Sequence, residues 1–192
     1  MPESPPYDPR AVANLLLDTA DSFGIDVSNL ALQKLLYFAH AHFLIETGTP
    51  LVQGAFEAWT NGPVHPAIYQ SFKAAGREPI RIRATRRSIM TGEIRPLVPP
   101  CHPDVRRHIR KVLDAYGHLS PGLLVAISHA PRGPWATIRD RALHGTSLGA
   151  RIPDSLTVER FRFQKIAVSI GIQHDAPDDG TPLHREDIPN RA

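Results

Sequence analysis

The chain has 192 residues, of which 42% are hydrophobic and 21% are charged, a composition typical of a globular protein with one well-buried core. Its single cysteine, Cys101, excludes an internal disulfide framework and a cysteine-based zinc finger. Because no apolar run approaches the roughly 20 residues of a membrane span, and the N-terminus lacks a signal-peptide pattern, we expect a cytoplasmic protein without membrane contact.

Two helices are predicted at the start of the chain. Asp8 is a good N-cap, Pro9 suits the first helical position, and the apolar spacing continues as far as Gly24. Ser28 caps a second helix that runs to about Glu46. Since this second helix is apolar on nearly all sides, it is predicted to be the central helix of a bundle. Four of its side chains are expected to be nearly inaccessible: Leu35, Leu36, Ala39 and Phe43.

The middle of the chain is predicted to change from helix to short strands and back. Alternation over residues 54–59 favours a strand, and residues 61–63 (Asn-Gly-Pro) indicate a turn. A helix is predicted from residue 66 to 76. Two further short strands, at 80–83 and 93–95, are expected to form a small hairpin or irregular excursion.

The second half is predicted to be helical. Helices are expected at residues 103–116, 120–128, 134–143 and 156–170, the last preceded by a loop at 144–153. The fold class is therefore mainly α, a single-domain helical bundle around a central apolar helix with a small inserted β-hairpin.

Composition also suggests the domain limits. Residues 1–7 are predicted to be a flexible N-terminus, and residues 8–170 the folded domain. Residues 171–192 are rich in Asp, Pro and His and contain few large apolar side chains. Such a segment cannot bury enough surface to offset its ordering entropy, so a flexible tail is expected there.

The motifs of common enzymes are absent from the sequence. It has no phosphate-binding or dinucleotide-binding glycine loop and no nucleophile elbow. His40 and His42 are two positions apart, so on a helix they point in different directions and do not chelate one ion together. We therefore predict a protein that is not an enzyme and that has no metal or cofactor.

Three features remain unusual. Lys34 lies inside the apolar second helix, where its amine needs a partner, expected near the turn at 59–64. Trp59 precedes that stiff turn, and Trp135 begins a helix. Core packing is the common fate of tryptophan, whereas a rigid aromatic patch for binding a protein is the functional alternative.

Several of these segments together resemble a known family. Residues 32–39 (LQKLLYFA), 56–59 (FEAW), 62–64 (GPV), Tyr69 and 134–135 (PW) occur in the order found in Panacea-domain antitoxins. This SocA-like family is also described as phage-associated GepA-like proteins. The likeness extends over roughly residues 8–170.

The resemblance implies a binding protein rather than a catalyst. It implies an antitoxin that contacts a cognate, SocB-like toxin, and a proteolytic adaptor that delivers this toxin to ClpX in the ClpXP protease. Toxins of that type act on DNA replication. The partner-binding surface is predicted to comprise Trp59, Gly62, Pro63, Val64, Tyr69, Arg77 and Arg81. A structural role is predicted for Lys34, Tyr37 and Trp135.

An alternative function rests on charge. Residues 77–111 carry ten Lys or Arg against three Asp or Glu, a local net charge of +7 in a chain whose net charge is +3. A nucleic-acid-binding regulator could use this basic segment. Because no aromatic residues interleave with the arginines and no nucleic-acid motif is present, a solvated basic surface is favoured and nucleic acid is not the expected partner.

Overall fold

The computed structural model describes residues 4–88, 90–143 and 151–162 and is mainly helical. The helices of this described part are α1 (Pro9–Ser22), α2 (Asn29–Thr47), α3 (Pro66–Phe72), α4 (Pro103–Tyr116), α5 (Pro121–Ser128), α6 (Pro134–Leu143) and α7 (Asp154–Arg160). A 3-10 turn at Lys73–Ala75 extends α3. The strands are β1 (Phe56–Trp59), β2 (Gly62–Val64), β3 (Thr85–Arg87), β4 (Ile94–Pro96) and β5 (Arg151–Ile152). None of the helices in these ranges is long and apolar enough to cross a lipid bilayer.

The predicted starts of α1, α2 and α5 are confirmed, and side-chain caps explain them. The carboxylate of Asp8 accepts from the main-chain N–H of Arg10 at the start of α1. The hydroxyl groups of Ser28 and Ser120 accept in the same way at the starts of α2 and α5. Each cap satisfies a main-chain N–H that has no partner within the helix. At the other end of α2, Gly48 adopts the left-handed conformation that ends many helices.

Helix α2 is the central element, as its apolar circumference predicts. It contacts α1, α3, α4, α5, α7 and β2. The four side chains expected to be inaccessible are buried, with Phe43 the most exposed at 8%. Aromatic side chains join α2 to its surroundings, since the Tyr37 ring lies edge-on to Phe56 of β1, with 5.1 Å between ring centroids. Tyr37, for which a structural role is predicted, thus lies in the core.

A three-stranded sheet covers part of α2. Its strand order is β2-β1-β5, and both pairings are antiparallel. In the first hairpin, β1 lies within the predicted strand at residues 54–59. The chain turns at residues 60–61, so Gly62 and Pro63, predicted as turn, belong to β2 instead. Strand β5 lies in a segment predicted as loop. It is only two residues long, and its Ile152 pairs with Phe56 of β1. So short a strand carries no periodicity, and only its long-range partner makes it a strand.

The second hairpin differs from its predicted position. Strand β3 lies at Thr85–Arg87, after the predicted strand at residues 80–83. Ile80 and Ala84 are buried in the core instead, and the main-chain groups of Ala84 bond to the Asn14 side chain rather than to a strand. Burial of these two side chains outweighs the local preference for a strand.

The packed part of the chain already includes Tyr7. Its side chain is buried, and its main chain bonds to Leu51 and Gln53. At the other end, the last helix begins at Asp154, two residues before the predicted start, and the structure describes residues only as far as 162. The predicted tail, 171–192, lies outside the described residues.

Candidate protein-binding site

Lys34 joins the central helix to the first hairpin. Its side chain is 0% exposed, and its Nζ donates a 2.8 Å hydrogen bond to the carbonyl oxygen of Pro63. The predicted location near the turn is confirmed, and the acceptor is a main-chain carbonyl. Burial lowers the pKa of Lys34 to about 7, because an ammonium ion is poorly stabilised away from water.

Gly62 allows the side chains of Lys34 and Ser128 to approach the hairpin closely. Its φ is +95°, and a Cβ built on it would overlap Ser128 Oγ and come within 3.0 Å of Lys34 Nζ. An amine with a neutral-range pKa beside a serine resembles the start of a nucleophilic site. Both Lys34 and Ser128 are 0% exposed, so a substrate cannot reach them, and Ser128 Oγ donates to the Val125 carbonyl. Both side chains pack against Gly62.

Trp135 holds the other strand of the hairpin. Its Nε1 donates a 2.8 Å hydrogen bond to the Trp59 carbonyl, and its ring is buried. The His129 ring stacks on it at 3.5 Å between centroids, and the Arg139 guanidinium lies 4.8 Å from the ring centroid. Burial lowers the pKa of His129 to about 3, with the charges of Lys34 and Arg139 adding to the effect. His129 is therefore neutral.

Trp59 and Tyr69 form an aromatic pair at the edge of this supported hairpin. Their rings meet edge to face, with centroids 5.0 Å apart, and both residues are half-buried. Trp59 Nε1 donates to Glu57 Oε2 at 2.8 Å. The pair thus combines apolar ring surface with polar atoms, the usual character of aromatic anchors in protein interfaces.

The remaining predicted binding residues have different surroundings. Gly62, Pro63 and Val64 are buried beneath the surface, where they support the hairpin. Arg77 is exposed just after the 3-10 turn. Arg81 lies beside the loop that joins α1 and α2, where its guanidinium forms a 2.8 Å ion pair with Asp26.

Three residues of this region were not singled out from the sequence: Glu57, Ser128 and His129. Glu57 could have been found, because residues two apart on a strand share a face, and it therefore sits beside Trp59. The stack of His129 on Trp135 is harder to predict. The only hint in the sequence is that a short loop separates the two residues. Nothing in the sequence placed Ser128 next to Gly62.

Comparison with known proteins identifies the family. Residues 32–136 match the family described as "Antitoxin SocA-like, Panacea domain". The chain belongs to this family. It is also 50% identical to Antitoxin SocA of Caulobacter vibrioides (strain NA1000 / CB15N) over 163 residues, which cover 85% of this chain and 87% of that protein. No solved structure matches the chain. The family match includes Lys34, the first hairpin and Trp135, and so spans the packing contacts that support the aromatic pair.

Proposed function

We propose that this SocA-like protein is an antitoxin that binds a cognate toxin by direct protein contact. The Trp59–Tyr69 pair is the observation on which the proposed contact surface rests. Tryptophan and tyrosine are the residues that most often dominate the binding energy of protein interfaces. A half-buried aromatic pair on a supported hairpin loses little conformational freedom on docking, which favours affinity.

Each part of the predicted surface has a distinct role in this proposal. Trp59 and Tyr69 contact the toxin, while the buried Gly62, Pro63 and Val64 set their position. Arg77 and Arg81 are exposed, and Arg81 lies beside the loop between α1 and α2. Their proposed role is through charge, which influences the rate and specificity of association more than its strength. Lys34 and Trp135 position the hairpin through their hydrogen bonds to its main chain and make no contact with the toxin in this proposal.

The adaptor role is a second part of the proposal. The chain would hold a SocB-like toxin and promote its degradation by ClpXP in the cytoplasm, without catalytic chemistry of its own. Its likeness to SocA-like antitoxins supports this role, and the buried side chains of Lys34 and Ser128 give no reason to assign catalysis. An adaptor binds substrate and protease together, so it needs two separate contact surfaces.

The contact surface can be tested by co-purification with the protein encoded by the adjacent gene. We expect Trp59→Ala and Tyr69→Ala each to weaken binding about thirtyfold, the effect of a typical hot-spot residue. Phe23→Ala is the matched control, since Phe23 is an exposed aromatic residue at the end of α1. Thermal melting establishes that each variant is folded. Folded variants that bind as well as the parent would contradict the proposed surface.

The adaptor role needs a different assay. Purified toxin, ClpXP and ATP are incubated with and without this chain, and the half-life of the toxin is measured. We expect degradation only with the chain present, and a slower reaction with Tyr69→Ala. If toxin is degraded equally fast without the chain, the adaptor role fails, while binding and neutralisation can still hold.

Nucleic-acid binding is a second candidate because α4 has an exposed basic face. Its basic residues are Arg106, Arg107, Arg110 and Lys111, and only Arg107 has a nearby carboxylate among the described ion pairs. Binding to phosphates weakens steeply as salt concentration rises. Such binding is lost at roughly 50 to 200 mM salt, so a gel-shift titration over this range tests the candidate. The antitoxin proposal predicts no shift.

A further inference from the structure

Helix α4 has a basic face that the described fold leaves largely unneutralised. Four basic side chains are exposed on it: Arg106, Arg107, Arg110 and Lys111. Residues three and four positions apart lie on one side of a helix, so these side chains are neighbours. Among the ion pairs of the described residues, only Arg107 has a partner, Asp104 at 2.8 Å. We call these four residues the basic face.

Arginines on other elements differ from those of the basic face. On α4 itself, the described contacts include no ion pair between Arg110 and Asp114, one turn further along the helix. Six arginines elsewhere each have an aspartate or glutamate oxygen within 3.9 Å, namely Arg81, Arg83, Arg86, Arg95, Arg139 and Arg160. Positive charge without a nearby carboxylate is therefore concentrated on α4.

The described chain ends beside the last turn of this helix. The Phe161 ring, just after α7, lies 4.9 Å from the His42 ring between centroids. His42 Nε2 and the Tyr116 hydroxyl are 3.0 Å apart, and Tyr116 is the last residue of α4. The residues that follow 162 therefore leave the described fold near the helix that bears the basic face.

A segment of opposite charge follows shortly afterwards in the sequence. Residues 175–179 (DAPDD), which we call the acidic segment, contain three aspartates, and no Lys or Arg lies between Lys165 and Arg185. The twelve residues 163–174 precede the segment and can span up to about 40 Å. Helix α4 has 14 residues and is about 21 Å long. The whole basic face is thus within reach of the acidic segment.

We propose that the acidic segment docks on the basic face of the same chain and keeps other polyanions from it. One exposed ion pair contributes little, but three aspartates against four basic side chains act together. The tether also gives the segment a high effective concentration at the face, so weak pairing is sufficient. The inference does not depend on toxin binding at the aromatic pair, because it concerns a different surface.

Cys101 provides the site for a direct test. It is the single cysteine of the chain, is exposed, and lies two residues before α4. A nitroxide spin label on Cys101 broadens the amide signals of residues close to it. In the full chain we expect broadened amides in the acidic segment. The broadening should be lost at about 1 M salt, where screening limits charge interactions to about 3 Å.

A mixed sample distinguishes contact within one chain from contact between two. Spin-labelled chains are mixed with chains that lack the label and are enriched in nitrogen-15, so that only the unlabelled chains give signals. We expect no broadening in this mixture. Broadening of the acidic segment there would assign the contact to a second copy of the chain and would overturn the proposal.

Charge reversal shows whether the basic face is responsible. Arg106→Glu combined with Arg110→Glu should remove most of the broadening in the acidic segment. Arg86→Glu combined with Arg95→Glu changes the net charge equally on the second hairpin and should leave the broadening as it is. Equal broadening in the parent and both variants, or equal loss in both, would contradict docking on α4. Thermal melting establishes that both variants are folded.

Exclusion of other polyanions needs a separate measurement, for which oligo-dT is the probe. The triple variant Asp175→Asn, Asp178→Asn and Asp179→Asn should bind oligo-dT about tenfold more tightly than the parent, because the basic face is then uncovered. Glu186→Gln combined with Asp187→Asn removes acidic charge outside the segment and should have a much smaller effect. Equal gains per charge removed, equal affinities of parent and triple variant, or no binding by either would contradict this role.

Discussion

Lys34 Nζ lies 2.8 Å from the carbonyl oxygen of Pro63 and joins the N-terminal half of α2 to the first hairpin. The bond satisfies a carbonyl in a buried strand, and it places a titratable amine where no water reaches it. The same contact therefore positions the hairpin that bears Trp59 and makes the stability of the fold depend on pH.

The first prediction concerns that pH dependence. Because burial lowers the pKa of Lys34 to about 7 while the unfolded chain retains the ordinary value near 10.5, the unfolded state binds more protons between these values. The free energy of unfolding should therefore rise with pH, by about 2 to 3 kcal/mol between pH 7.5 and 9.5. Urea unfolding at several pH values measures this slope.

Lys34→Met is the control for this slope. It removes the titratable amine and leaves the Pro63 carbonyl without its donor, so the variant should be less stable than the parent at pH 9.5 and should lack the rise. The difference between the two proteins should then shrink or reverse toward pH 7.5. Parallel pH profiles would show that Lys34 does not titrate in this range.

The second prediction concerns Gly62. Gly62→Ala combines a positive φ with overlap at Ser128 and Lys34, whereas Gly48→Ala has a similar φ of +70° and open space around the new methyl group. Positive φ alone costs about 1–2 kcal/mol. We expect Gly48→Ala to lose about that much and Gly62→Ala about 1–3 kcal/mol more, by analogy with overpacked cores. Equal losses in urea unfolding would mean that the contact with Lys34 and Ser128 yields without cost.

The third prediction tests the central helix. Leu36→Ala removes a fully buried side chain and should cost about 2–5 kcal/mol. Ile45→Ala, on the same helix, removes a side chain that is 42% exposed and should cost clearly less. Thermal or urea unfolding of the two variants measures the difference. Similar losses at both positions would contradict the central position of α2.

The fourth prediction concerns the attachment of the second hairpin, β3–β4, to the core. The buried Asn14 side chain bonds to the N–H and the C=O of Ala84 at 2.8 and 2.9 Å. Asn14→Ala leaves both groups without a partner and should cost about 2–3 kcal/mol. It should also speed hydrogen exchange of the Ala84 amide. Gln53→Ala removes an exposed bond to the Pro6 carbonyl and should cost under about 1 kcal/mol. Unchanged exchange at Ala84 in the Asn14 variant would refute this attachment.

The candidate site was only partly predictable. Lys34, Trp59 and Trp135 stand out because a charge among apolar residues and two tryptophans beside rigid turns are visible in the sequence. The contact of Trp59 with Tyr69 and the burial of Gly62, Pro63 and Val64 are not visible, since both depend on where the hairpin lies relative to α2, α5 and α6. Arg77 follows the 3-10 turn and Arg81 lies beside the loop between α1 and α2, and a residue count alone does not show which surface each reaches.

The sequence by itself determined where α1, α2 and α5 begin, because capping side chains, prolines at first positions and apolar periodicity act within one or two turns. Asp8, Ser28 and Ser120 begin their helices by bonds to main-chain groups two or three residues away. The tertiary structure alone decided the positions of β3 and β5. Residues 80–83 do not form the strand predicted there, because burial of Ile80 and the neighbouring Ala84 against the core is worth more than local preference. Residues 151–152 become a strand only because β1, almost a hundred residues earlier, offers them an edge.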